Sequence, residues 1–196
     1  IAGGTMRTFY ENNKAYLQNK WNAAGKQIER WETIAGGTMR TFYENNKAYL
    51  QNKWNAAGNQ IERWETIAGG TMRTFYENNK AYLQNKWNAA GNQIERWETI
   101  AGGTMRTYYS SGKAYLQNTW DTAGSQIKKW EKTAGGTVVT YYQNTKSYLR
   151  ESWDNAGSYV KETWSSSGSY VKKAWDKFGN VLGGGGGNIL NKILGI

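Results

Sequence analysis

The sequence predicts an all-β chain of tandem 33-residue repeats, each made of three 11-residue strand-turn units, forming a meander or a solenoid-like array. Three observations carry this. The chain copies itself: residues 1–33 match 34–66 except that Lys26 becomes Asn59, and 34–66 and 67–99 are identical. Glycines recur in one 11-residue phase, as at Gly25, Gly36, Gly58, Gly69 and Gly91. Between the glycines lie "TMRTFY", "AYLQNKW" and "SYVKETW", rich in the β-branched and aromatic residues that suit a pleated surface.

The turns come from residue chemistry. "ENNK" at 77–80 becomes "SSGK" at 110–113, so Gly112 replaces Asn79. Asn and Gly interchange where the backbone must take positive φ. The phase glycines follow Asn, Asp or Ser, residues that open turns, in "WNAAG" and "WDNAG". Gly25, Gly58, Gly91, Gly112, Gly124, Gly157, Gly168 and Gly179 are therefore the expected turns.

The strands follow from what is left. Each unit has about seven strand residues, spanning roughly 23 Å. With the phase glycine as position 1, position 4 is aliphatic, and an aromatic falls at position 7 or 8. The expected core is Met6, Tyr10, Leu17, Trp21, Ile28 and Trp31 in the first copy. In the diverged end it is Leu149, Trp153, Val160, Trp164, Val171 and Trp175. Apolar residues fall on both faces of each strand, which predicts two buried faces or a thin sheet covered by neighbouring chains. A solenoid would stack Trp21, Trp54 and Trp87 about 4.8 Å apart, but would also stack Lys20, Lys53 and Lys86. A meander mixes Arg7, Gln18 and Glu29 across neighbours and is preferred.

The alternative is a long amphipathic α-helix of 11-residue repeats. Eleven residues in three turns give about 3.67 per turn, which keeps an apolar stripe in phase. That pattern resembles lipid-droplet coat and late-embryogenesis-abundant proteins, and implies a helix coating lipid or membrane. A glycine in every unit would cost such a helix about 1 kcal/mol each.

The array is expected over 1–182, diverging after about 99, with a glycine linker at 183–187 and a short apolar tail at 188–196. The tail reads as an amphipathic docking or membrane-touching segment, or as a capping strand. Ile1 falls inside a repeat and is not Met, which points to a fragment or processed product.

Composition narrows the chemistry. The chain has no Cys, His or Pro, so disulfides and the usual zinc ligands are missing. Glu11, Glu29 and Glu32 recur in each early copy without a nucleophile-base pair. No catalytic, cofactor-binding or metal residues are therefore expected. A net charge of +10 permits anionic partners. Arg7, Lys14 and Lys20 interleave with Tyr10, Tyr16 and Trp21, a pattern that serves single-stranded nucleic acid or sugar rings. The plainer reading makes the aromatics core, with the lysine stems lying over them.

"WDKFGNVL" at 175–182 and "WDNAG" at 153–157 resemble YD or RHS-type repeats: an aromatic-Asp-x-x-Gly turn, followed in the first by an apolar strand. Trp stands where those repeats usually have Tyr, and "WNAAG" departs by Asn for Asp. The rhythm is similar, more loosely, to cell-wall-binding repeats of bacterial surface proteins. The resemblance implies a large secreted or surface scaffold without catalysis in the repeats. The expectation is a non-enzymatic part of a self-assembling extracellular fibre or surface scaffold. Its partners would be copies of itself, then an anionic polymer or membrane surface; nucleic acid is allowed but not favoured.

Overall fold

The computed structural model describes residues 4–165 and 169–184. Among these the chain is strand and turn with no helix, which overturns the helical alternative. The reason is local: left-handed backbone recurs too often for a helix to propagate.

The chain divides into two compact units, residues 1–96 and 97–196. The first contains β1 (Thr5–Glu11), β2 (Lys14–Trp21), β3 (Gln27–Ile34), β4 (Gly37–Glu44), β5 (Lys47–Asn55), β6 (Gln60–Ile67), β7 (Gly70–Glu77) and β8 (Lys80–Asn88). Strand β9 (Gln93–Ile100) carries the chain onward. The second contains β10 (Gly103–Ser110), β11 (Lys113–Asp121), β12 (Gln126–Thr133), β13 (Gly136–Gln143), β14 (Lys146–Asp154), β15 (Tyr159–Trp164), β16 (Tyr170–Trp175) and β17 (Val181–Gly184). Gly183 and Gly184, read from sequence as linker, belong to β17 and pair with Ala174 and Lys173. The rest of that linker and the tail lie outside the described residues.

Each unit is an antiparallel meander. From β1 to β8, and again from β10 to β17, every strand pairs with the next. Trp21 lies opposite Thr5 and Gln27, not on Trp54, so the copies are not stacked as solenoid rungs.

Three turn types join the strands. Between β4 and β5 two residues, Asn45 and Asn46, take φ of 48° and 62°, the signature of a type I′ hairpin. Ser111–Gly112 and Asn144–Thr145 occupy the same place in later copies. Between β5 and β6 the Asn55 side chain accepts the Asn59 amide at 2.9 Å, while the Gly58 amide donates to the Asn55 carbonyl. Between β3 and β4, Gly36 turns the chain at φ 81°. Gly37, next to it, serves close approach instead, since a Cβ there would lie 1.9 Å from the Trp54 carbonyl oxygen.

Three strands per copy is an odd number, and this sets the faces. Residues directly opposite one another in an antiparallel pair point to the same side. One row in the first unit runs Thr8, Gln18, Trp31, Arg40, Asn52, Arg63, Thr74, Gln84. The next row, on the opposite face, runs Arg7, Asn19, Arg30, Thr41, Gln51, Trp64, Arg73, Asn85. The rows are the same series offset by one copy. The sheet turns over every 33 residues, and both faces carry the same chemistry. This explains the apolar residues on both sides of each strand.

No large side chain is fully buried among the described residues. Several expected core residues are exposed instead: Met6 by 48%, Tyr10 by 66%, Ile28 by 38% and Val171 by 51%. Met6 and Tyr10 lie on β1, which the described residues flank on one side only; Met39 and Tyr43, flanked on both, are half-buried. Ile28 sits at a bulge, where two β3 residues oppose one of β2. Val171 faces Thr163 on one side, while β17 pairs only with the far end of its strand. Val160 is buried, and Leu17, Trp21, Trp31, Leu149, Trp153, Trp164 and Trp175 are half-buried. The sheet centre is polar: Thr41, Thr74 and Thr107 are buried, and Thr41 accepts a hydrogen bond from Gln51 at 3.1 Å.

Candidate functional site

The candidate surface is the pair of sheet faces, built by cross-strand neighbours. In the first unit each face centres on a carboxylate held between two cations. Glu29 of β3 takes Lys20 of β2 at 3.1 Å and Arg40 of β4 from the other side. Glu62 repeats this on the opposite face with Lys53 and Arg73. Burial alone would raise the Glu29 carboxyl. The hydrogen bonds from Arg40 and Lys20 outweigh it and hold the group below the usual carboxylate range. A second pair joins Arg63 to Glu65 at 2.6 Å along one strand. Arg40 also lies over Phe42, 5.3 Å from the ring centroid.

Beside the Glu62 cluster an open groove is lined by Ala48, Gln51, Trp64, Thr71, Arg73 and Trp87. Its tryptophans come from two consecutive copies.

In the diverged copy the cluster is rewritten as a set. The positions of Lys86 and Glu95 become Thr119 and Lys128, and the position of Arg106 becomes Val139. Lys128 then sits over Tyr141 at 5.5 Å.

The end of the second unit replaces ion pairs with rings. Trp153, Tyr159 and Trp175 lie on adjacent strands with centroids 5.1 Å apart and interplanar angles of 32° and 27°. Tyr159 donates its hydroxyl to Glu151 at 2.6 Å, and burial with that carboxylate pushes the phenol well above its ordinary value. On the opposite face Tyr170 donates to Glu162 at 2.7 Å; burial and the carboxylate push it to about 12.

The expected turn glycines Gly25, Gly58, Gly91, Gly112, Gly124, Gly157 and Gly179 have φ between +73° and +93°. Gly168 lies outside the described residues. The interleaved basic and aromatic residues do not form one patch. Arg7, Tyr16 and Trp21 face one side, Lys20 and Tyr10 the other, and Lys20 is neutralised by Glu29. Among the described residues no group of three or more His, Cys, Asp or Glu could hold a metal ion.

The sequence reading of the glutamates, as solvated charges or cross-strand partners of Lys20 and Arg30, covers the Lys20–Glu29 pair, but it missed Arg40 as the third member of the cluster and the central Thr–Gln pairs. The signal is present in the chain: once the meander register is drawn, Lys20, Glu29 and Arg40 fall side by side. No known protein-family model matches the chain, and no curated protein matches it.

Proposed function

We propose that this chain is a non-enzymatic structural repeat protein, a segment of a self-assembling fibre or surface scaffold. The observation that carries the reading is the turnover of the sheet. Each unit is a single layer whose two faces carry the same half-buried tryptophans, so neither face is an inside. Repeats that cannot bury their apolar faces alone are completed by neighbours. A sheet with two like faces offers the same contact to a copy above and a copy below. Placement outside the cell is part of the proposal and rests on the aromatic-Asp-x-x-Gly turns of "WDNAG" and "WDKFG". Asp154 and Asp176 each accept two backbone amides of the following turn there.

Analytical ultracentrifugation over a concentration series, with electron microscopy of the same samples, tests the proposal. Growth into elongated assemblies is the expected result. A monomer at every concentration contradicts it.

A further inference from the structure

We propose that the Trp153–Tyr159–Trp175 face of the second unit carries a binding site for a carboxylated or sulfated sugar polymer, centred on Lys161 and Lys173. The two lysines lie directly opposite each other on β15 and β16. Like charges so placed destabilise a sheet. The pair arises from one charge reversal. In the successive phrases "SYVKETW" and "SYVKKAW", Lys173 stands where the earlier phrase has Glu162. Had the glutamate been kept, Lys161 would face a carboxylate on β16 as it does on β14, where Glu151 is its partner. On the opposite face the same register sets Lys172 against Glu162. The repulsion is therefore confined to one face.

Glu151 on β14 lies opposite Lys161 and offsets part of the repulsion, but no carboxylate lies opposite Lys173, which has Lys161 on one side and Gly184 on the other. Among the described residues neither lysine is in an ion pair, and Glu151, opposite Lys161, accepts the Tyr159 hydroxyl. Beyond Lys173, β17 offers Gly184, which has no side chain to lie over it. Lys161, Lys173, Thr163, Val171 and Trp175 line a single shallow pocket. Two cations, a hydroxyl and a ring around an open depression suit an anionic group on a polar, ring-shaped backbone.

The ladder geometry favours a sugar over a nucleobase. Trp175 stacks on Tyr159 from one side and Trp153 lies tilted against it from the other, so Tyr159 has no free face on which a base could lie. Ring edges carry the positive end of the aromatic quadrupole and attract hydroxyl and anionic oxygens. The site does not depend on the scaffold reading.

The test is titration of the full chain with dextran sulfate and with polygalacturonate. Neutral dextran and a single-stranded oligodeoxythymidylate serve as comparisons, and assembly state is followed in the same samples. Both anionic glycans are expected to bind, more weakly as salt rises. Lys173→Glu should weaken binding about tenfold or more while raising Tm, because it restores a cross-strand ion pair. Lys161→Gln should also weaken binding, and Lys172→Gln, on the other face, should leave it unchanged. Equal binding by Lys173→Glu, or an equal loss from Lys172→Gln, would overturn the site. Binding of the oligonucleotide as tight as that of the glycans, lost in the same variants, would overturn the sugar assignment.

Discussion

Trp31 and Trp64 hold the same place in consecutive copies yet point to opposite faces of one sheet. Trp31 shares its row with Arg40, Asn52 and Arg63, while Trp64 shares the neighbouring row with Thr41, Gln51 and Arg73. Nothing in the 33-residue period alone requires this. It follows from dividing each copy into three antiparallel strands. Duplicating an odd number of strands makes a sheet with no polar and no apolar side, and each added copy presents each of its residues to the face opposite the one its predecessor used.

The double glycines divide two roles, and substitution should separate them. Gly69 turns at φ 82° with open space around it, whereas a Cβ on Gly70 would lie 1.9 Å from the Trp87 carbonyl oxygen. Gly69→Ala should cost about 1 kcal/mol of stability from backbone strain alone. Gly70→Ala should cost clearly more, since two backbone segments must separate. Urea unfolding of the two variants checks the order.

The type I′ turn at Asn144–Thr145 holds a β-branched residue at φ 64°. Such a residue is strained there, and glycine is not. Thr145→Gly should stabilise the chain by about 1 kcal/mol, read as a rise in Tm. Ser111–Gly112 already has the favoured residue, so Gly112→Thr should lose a similar amount.

The three-residue clusters should behave as units. Glu62→Gln leaves Lys53 and Arg73 facing each other without their shared carboxylate, and should cost about 1–2 kcal/mol. The triple change Lys53→Thr, Glu62→Lys and Arg73→Val copies Thr119, Lys128 and Val139 of the diverged copy. It should cost less than the three single changes added together, which a set of thermal melts would show.

Alkaline pH should loosen the end of the second unit. Tyr170 has its phenol raised to about 12 by burial and by the Glu162 carboxylate, against an ordinary value of 10. Its contribution is fully present below pH 10 and is lost as pH rises through about 12. Tyr159 acts in the same direction. Tyr170→Phe should flatten the fall in Tm over that range. Glu29 has the opposite sign: its contribution is present above the ordinary 4.5 and is lost as pH falls below it.

The strands and turns were legible because they are written in local chemistry. Asn79 exchanging with Gly112 declares positive φ whatever surrounds it, and both take φ of 61° or more. The core was less legible. Position-4 aliphatics such as Met6, Ile28 and Val171 look interior by pattern, but pattern cannot tell a sheet with a covering layer from one without. It also missed Thr41 and Thr74, which are buried between longer cross-strand partners, Arg30 and Gln51 for Thr41 and Arg63 and Gln84 for Thr74. The Tyr159 ladder and the Lys161–Lys173 opposition depend on register across strands, which no single 11-residue phrase contains.

Disulfide trapping tests the meander most directly, and a chain without cysteine allows it. Thr41 and Gln51 are cross-strand partners joined by a 3.1 Å hydrogen bond, whereas Trp21 and Trp54 lie three strands apart. Under mild oxidation Thr41→Cys/Gln51→Cys should close an internal disulfide, and Trp21→Cys/Trp54→Cys should not. The reverse outcome would mean that identical copies stack in register, and the turnover of the sheet would be wrong.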